Sequence, residues 1–432
     1  MFNSVIGKSG GVAQCATHSI KLDNEMNLTG IPKDIDPSKA KDIVERWLRG
    51  IAAFEVPSSL VCNLDCKYCY IREKWLKNTH VTVQEIDHIV NLAWDKLFFY
   101  NKHEQKYLSA WGAEPCINLD TLEYLVDFCI DKKAQLSTST NGTIMASLPV
   151  LEKAFKSGVL RDLQVSLDGP PYIQNEYRPY LSKTGQTFNV VVEFLEALSH
   201  IQSDLKIDKR LYNLCSTLYL NEKTPKYYED CIDFFAEPHT LFSCHTMPMR
   251  VENHVMYESK HVAIFEETMR RGANRLIEKS REYGAPYMDY YTHNLFFNKS
   301  RTMGCANCSA MRSQLAVDID GLIYMCHGPI TTTSIKPYCV LGSLKHMYFD
   351  FKAIITNLDM FRCNHVSSAI CATCDLRNGG ITGSICMACP PSNLSLDSMP
   401  MFYDHYRCQA YQKSLPHWKR VYDVAWVGAQ NG

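Results

Sequence analysis

Residues 61–70 read VCNLDCKYCY, which sets Cys62, Cys66 and Cys69 at i, i+4 and i+7. C-x3-C-x2-C on a loop is an awkward use of three small apolar side chains, so a buried-core role is the weaker reading and a metal the stronger. A structural zinc takes four protein ligands. A [4Fe–4S] cluster held by three thiolates is fixed to the protein and keeps one iron open for something else. The spacing points to that second arrangement.

A second set of cysteines lies near the C-terminus: Cys305 and Cys308 in GCANC, Cys326 closing DIDGLIYMC, Cys371 and Cys374 in CATC, Cys386 and Cys389 in CMAC, and Cys408. Paired C-x2-C motifs serve zinc and iron–sulfur sites alike. A zinc ribbon over 371–389 leaves Cys305, Cys308, Cys326 and Cys408 without a purpose. Cys339 and Cys363 are spare and could replace one of these ligands, and the six at 15, 116, 129, 215, 231 and 244 read as core or incidental. With 19 cysteines in all and no basic-then-apolar lead resembling an export signal, a reduced, cytoplasmic metalloprotein is expected over a disulfide framework. No segment has the apolar length of a membrane span. Lys+Arg (45) and Asp+Glu (46) cancel to a net charge of -1, which removes the main reason to expect a nucleic-acid partner.

The elements that must hold the first cysteines alternate regularly. After an irregular lead, DPSKAKDIVERWL reads as a helix with Asp36 as N-cap and Pro37 at its first position. AFEVPSSLV is a strand ending at the cysteines, and TVQEIDHIVNLAWDKL is a helix opened by a capping box from Thr82 to Glu85. Strands follow at YLSAW, AQLSTSTNG, LQVSLDGP, LYNLCSTLYL and LFSCHTMP, with helices between them and a long helix over 259–283. About six strand–helix repeats imply a parallel sheet with helices outside, an α/β full or partial barrel whose chemistry lies at the carboxyl ends of the strands. From about residue 300, glycine, proline and cysteine multiply and helical periodicity fades until 401–413. The division expected is a lead with a short helix (1–50), the barrel (51–300), a cysteine-rich domain (301–415) and a tail (416–432).

CNLDCKYC resembles the signature C-x3-C-x-aromatic-C of the radical S-adenosylmethionine (radical SAM) enzymes. The resemblance implies a partial (β/α)6 TIM-like barrel. It also implies a cluster whose open iron chelates the amino and carboxylate groups of SAM, and reductive cleavage to a 5′-deoxyadenosyl radical that abstracts hydrogen from substrate. WGAEP resembles the family's Gly-Gly-Glu-Pro motif, with Ala113 for the second glycine, and maps the SAM amino contact to Glu114 and the backbone of Gly112 and Ala113. STSTNG and VSLDG resemble the third- and fourth-strand motifs, the latter bringing Ser166 to SAM. Tyr68 is the aromatic of the signature, and Arg178 sits where relatives carry an arginine near the SAM carboxylate, a fork-shaped partner for it.

The C-terminal set, with C-x12-G-x4-C counted from Cys308, resembles a SPASM domain, which carries two auxiliary [4Fe–4S] clusters in peptide- and protein-modifying radical SAM enzymes. By position, one cluster takes Cys305, Cys308, Cys326 and Cys389, and the other Cys371, Cys374, Cys386 and Cys408. The eleven residues between Cys374 and Cys386 exceed the usual spacing, so the pairing is an expectation.

Two reactions follow from the resemblance. One is maturation of a ribosomally synthesised peptide, with a crosslink as the expected product. The other is oxidation of a sulfatase Cys or Ser to formylglycine. Sulfatase-maturing relatives carry an aspartate after the hairpin cysteine; here the residue is His327, expected to take a substrate proton or bond a cluster sulfide, and this favours the crosslink. Partners implied are a peptide or protein substrate and an electron donor such as ferredoxin or flavodoxin. The fifty residues before the barrel are few for a leader-binding module, so a leader is expected to dock on the barrel, arrive on a separate protein, or be absent. A zinc-stabilised binding protein is the non-enzymatic alternative.

Overall fold

In the computed structural model the described residues are 20–22, 26–69, 71, 80–101, 103–208, 210–236, 246–247, 249–252, 257–283, 287–289, 311, 313–331, 339–361 and 405–430. Strands β1 (Ile20–Lys21) and β2 (Asn27–Thr29) precede α1 (Pro37–Arg49), whose N-cap Asp36 accepts the Ser38 amide at 2.8 Å. β3 (Ala53–Ser59) leads to the first cysteines. α2 (Val83–Leu97) opens with the reciprocal capping box of Thr82 and Glu85. There follow β4 (Tyr107–Gly112), α3 (Leu119–Lys132), β5 (Gln135–Thr140), α4 (Leu148–Lys156), β6 (Leu160–Ser166), α5 (Pro171–Tyr177), α6 (Thr187–Asp204), β7 (Asn213–Tyr219) and α7 (Thr224–Ala236). Short strands β8 (Thr246–Met247) and β9 (Met249–Glu252) come before α8 (Ser259–Tyr283).

β3, β4, β5, β6, β7 and β9 pair in that order, all parallel, with helices on the outside, which is the partial barrel expected. The sixth parallel strand is β9, Met249–Glu252; of LFSCHTMP, expected as this strand, only 246–247 are described, as β8, and the rest lies outside the described residues. Phe54, Val56, Leu108, Leu163 and Val165 are fully buried toward the helices, each contributing about 1.5–3 kcal/mol. Phe54 meets Phe98, just past α2, at 5.1 Å between ring centroids.

On its other edge the sheet does not stop. β11 (Gln314–Val317) pairs parallel with β3, then β12 (Leu322–Tyr324), β13 (Val340–Ser343) and β14 (Tyr348–Asp350) follow antiparallel, and β14 pairs with β2. Among the described residues β10 (Met288–Asp289) pairs only with β8. Among the described residues one twelve-stranded sheet therefore takes strands from both sides of 50 and of 300. The turn helix α9 (His327–Thr331) and α10 (Phe351–Phe361) flank this hairpin region.

Residues 416–430, expected as a tail, continue a helix, α11 (His405–Gln430). Pro416 lies inside it and reads as a stop. Packing outweighs that signal: Trp418 is 2% exposed, its ring lies 6.4 Å from Phe265 of α8, and its Nε1 donates to Met269 Sδ at 3.2 Å. Among the described residues no helix is long and apolar enough to cross a membrane.

Candidate active site

The cysteine loop leaves the carboxyl end of β3 and is strapped along its length by residues 177–183. The Asp65 amide donates to Pro179 O at 2.8 Å, the Lys67 amide to Tyr177 O at 3.0 Å, and the Leu181 amide to Asn63 O at 2.9 Å. Lys67 Nζ bonds Glu176 Oε1 at 2.8 Å, and Lys183 pairs with Asp65. Cys66 is buried, while Cys62 and Cys69 are half-buried. The Leu64 amide and Asn141 Nδ2 both donate to Cys62 Sγ, at 3.4 and 3.8 Å.

Burial, and next the charge of Glu114, push the Cys62 thiol well above its ordinary range; burial pushes Cys66 up to about 12 against the pull of Arg178. Thiolates in this place need cations, and loading iron releases their protons. Among the described residues no three His, Cys, Asp or Glu side chains are set to hold a single metal ion. A cluster asks less of the chain, because each iron already carries sulfides and wants one thiolate. Three cysteines on one strapped loop meet that demand.

The SAM motifs converge on the same rim. At the end of β4, Gly112 has φ +148°, and a Cβ there would lie 2.0 Å from the Ser59 carbonyl oxygen. That closeness lets the Ala113 amide donate to Ser59 O and the Glu114 amide to Val61 O, each at 3.0 Å, so WGAEP runs beside the start of the cysteine loop. Glu114, 2% exposed, accepts from the Cys116 amide at 3.0 Å, Thr140 Oγ1 at 2.8 Å and the Asn141 amide at 2.6 Å. It thereby joins the ends of β4 and β5. Burial raises its carboxyl to about 7 despite these hydrogen bonds.

Ser166 ends β6, half-buried. Arg178 is buried, with its Nε 3.0 Å from Asp168 Oδ2 and its guanidinium carbon 5.2 Å from the centre of the Tyr68 ring. The Arg178–Asp168 contact is an ion pair by distance, and Nε makes no well-directed hydrogen bond there. The residues present fit a cluster and the amino-acid end of SAM.

Alternation along the strands gives the barrel a polar lumen. Ser109, Ser137, Gln164, Ser166 and Thr217 are half-buried, while their strand neighbours Leu108, Leu136, Leu163, Val165 and Leu218 are buried. Glu55 of β3 is 6% exposed and holds His327: its Oε2 accepts the His327 amide at 3.0 Å and lies 2.9 Å from Nδ1. The His327 ring rests 5.3 Å from that of Trp111. Burial lowers the imidazole pKa, but the Glu55 charge and hydrogen bond outweigh it, leaving it above the ordinary value.

Of the second cysteine set, Cys326 is half-buried beside His327. Cys305, Cys308, Cys371, Cys374, Cys386 and Cys389 lie outside the described residues, and Cys408 is placed on α11 without a description of its side chain. Sequence reasoning missed Glu55 and Asp168. A lone acid in the apolar run AFEVP, and the aspartate of VSLDG, were the available signals.

Residues 56–208 match the radical SAM superfamily. The chain is 23% identical over 297 residues to a probable GTP 3′,8-cyclase of Pyrococcus horikoshii, covering 66% of this chain and 86% of that one. It is 22% identical over 299 residues to the radical SAM cyclopropyl synthase TigE of Paramaledivibacter caminithermalis, covering 64% of this chain and 58% of that protein. In fold it is similar to anSMEcpe with bound AdoMet and Kp18Cys peptide (TM-score 0.62, 17% identity, 86% of this chain and 98% of that). It is also similar to Streptococcus suis SuiB bound to precursor peptide SuiA (TM-score 0.50, 15% identity, 88% and 83%). The residues matched, 56–208, are therefore a radical SAM domain, a family that uses a [4Fe–4S] cluster and SAM, and the strapped loop of three thiols lies at the carboxyl ends of its strands.

Proposed function

We propose that the chain modifies a ribosomally synthesised peptide, with hydrogen abstraction leading to a crosslink. The observation that carries this reading is His327: a histidine, not an aspartate, follows the hairpin cysteine, and Glu55 fixes it beside Trp111 at the barrel. Support comes from solved folds that carry peptides. In the neutral imidazole whose Nδ1–H faces Glu55 Oε2, Nε2 is the accepting nitrogen. Bound together, the reduced cluster and SAM supply a carbon radical that takes a hydrogen atom. The remaining proton would go to His327 and the remaining electron to an iron–sulfur centre that the second cysteine set would hold, leaving the peptide with one new bond. Cys305, Cys308, Cys326, Cys371, Cys374, Cys386, Cys389 and Cys408 are the proposed ligands of two such centres, a ferredoxin or flavodoxin the electron donor, and the cytoplasm the site of action.

The test is anaerobic reaction of the reconstituted enzyme with SAM, reductant and short peptides encoded beside its gene, read by mass spectrometry. A product lacking two hydrogens supports the crosslink. Unchanged peptides, together with conversion of a sulfatase-derived cysteine peptide to an aldehyde, establish the runner-up, formylglycine formation. His327→Ala is expected to cut product at least about a hundredfold while SAM cleavage continues. Full product with full cleavage discards its role as base.

Glu114 is the proposed hydrogen-bond acceptor for the SAM amino group, and this sets a pH dependence. The carboxylate accepts from the amine N–H best when ionised, so SAM affinity is expected to be high above about pH 7 and to weaken as pH falls through that value. Glu114→Gln should bind more weakly at pH 8 and show a flat profile in equilibrium dialysis. A wild-type profile already flat from pH 6 to 8 removes the contact.

A further inference from the structure

Asp168 lies at the carboxyl end of β6, is 0% exposed, and has more partners than any role in strand geometry requires. Its Oδ2 accepts Tyr68 Oη at 2.5 Å and pairs with Arg178 Nε at 3.0 Å, while Oδ1 accepts the Thr217 amide at 2.9 Å. Its backbone is pinned from three other elements: the amide donates to Gln174 Oε1 at 2.8 Å, and the carbonyl accepts from Ser216 Oγ at 2.9 Å and Cys231 Sγ at 3.2 Å. One carboxylate, immobilised by β7, α5 and α7, thus grips the tyrosine between Cys66 and Cys69 and the arginine assigned to the SAM carboxylate.

We propose that Asp168 is the positioning residue of the cofactor site, locking the cysteine loop and Arg178 into one fixed relation so that the arginine meets SAM where the cluster holds it. The physical reason lies in the arginine. A buried guanidinium stripped of its partner is costly and moves to find another, whether water or a cysteine sulfur. Nε is the atom that faces Asp168, and a planar guanidinium can meet a second carboxylate with its other nitrogens. Tyr68 adds the link to the cluster, because the same oxygen that pairs with Arg178 accepts its hydroxyl. Asp168 acts through Arg178 and Tyr68, the two side chains its Oδ2 meets. The inference rests on the SAM cofactor and not on the peptide reading, so either can fail without the other.

The experiment measures SAM dissociation constants by equilibrium dialysis on the anaerobically reconstituted full chain, with iron content as the loading control. Asp168→Asn keeps the size and an acceptor but drops the charge. It is expected to retain its iron and bind SAM about tenfold or more weakly, the scale typical of residues that orient a ligand. Arg178→Gln is the second variant, and the double variant should bind no more weakly than Arg178→Gln alone, since both remove one path. Wild-type affinity in Asp168→Asn overturns the proposal, and so do two losses that add in full, which mark a separate structural effect. Should Asp168→Asn fail to fold or to load, Tyr68→Phe keeps the ion pair and removes only the hydroxyl. It is expected to weaken SAM about threefold or more and to alter the electron paramagnetic resonance signal of the reduced, SAM-bound cluster. An unchanged affinity and signal there overturns the proposal as well.

Discussion

Cys66→Ala is expected to fold as well as the wild-type apo-protein and to lose SAM cleavage at least about a hundredfold. The two halves of that result have separate causes. Without iron, Cys66 is a buried neutral thiol, its pKa pushed up to about 12, and it behaves as a small apolar side chain. Trimming it to alanine then costs about 1 kcal/mol, roughly the loss of one buried methylene-sized group. With iron, the same residue is one of three ligands. Changes merely next to a metal ligand cost tenfold to about a hundredfold, so loss of a ligand itself sits at or beyond the upper end. Thermal melting of the apo forms and 5′-deoxyadenosine production by the reconstituted forms measure the two halves. A large loss of apo stability with cleavage intact makes Cys66 a core residue.

Gly112→Ala is expected to be the most damaging single methyl in the site. Two penalties coincide: φ +148° is a backbone state that alanine avoids, and the new Cβ would sit 2.0 Å from the Ser59 carbonyl oxygen, a backbone atom that cannot swing aside. Strain of this kind costs about 1–3 kcal/mol, and the overlap adds a similar amount unless β4 separates from the cysteine loop. Separation breaks the Ala113–Ser59 and Glu114–Val61 hydrogen bonds, so Glu114 shifts even in molecules that stay folded. SAM affinity should therefore fall by more than the stability loss alone explains. Ala113→Gly, by contrast, should be nearly silent. Calorimetric melting and SAM dialysis on both variants check the pair; a well-folded Gly112→Ala with normal SAM affinity would falsify the close-approach argument.

Local signals carried most of the barrel. The capping box at Thr82 and Glu85, the turn at Asn141-Gly142 (Gly142 φ +72°) and the long apolar stripe of α8 each determine structure within one element, and those elements stand where the residues place them. The pairing of β11 with β3 left no such trace, because Gln314 and Ala53 meet through the fold and not through any pattern along the chain. Pro416 pointed the wrong way for the same reason: the helix through it is held by Trp418 against α8, a tertiary contact that local propensity does not see.

The site divides likewise. Cys62, Cys66, Cys69, Glu114 and Arg178 were legible as motif positions, and the fold brings all of them to one rim. What holds them was not: Glu55, Asp168 and the 177–183 strap act across sequence separations of 100 residues or more, as in Tyr68 to Asp168 and Glu55 to His327.

The measurement that tests the account most directly is iron and acid-labile sulfide per chain after anaerobic reconstitution, for the wild type and for the Cys62→Ala, Cys66→Ala, Cys69→Ala triple variant, with 5′-deoxyadenosine as the paired readout. One radical SAM cluster and two auxiliary clusters predict about twelve irons in the wild type and about eight in the triple variant, with SAM cleavage gone. Iron content unchanged by the triple substitution, or a wild type that binds no iron, contradicts it.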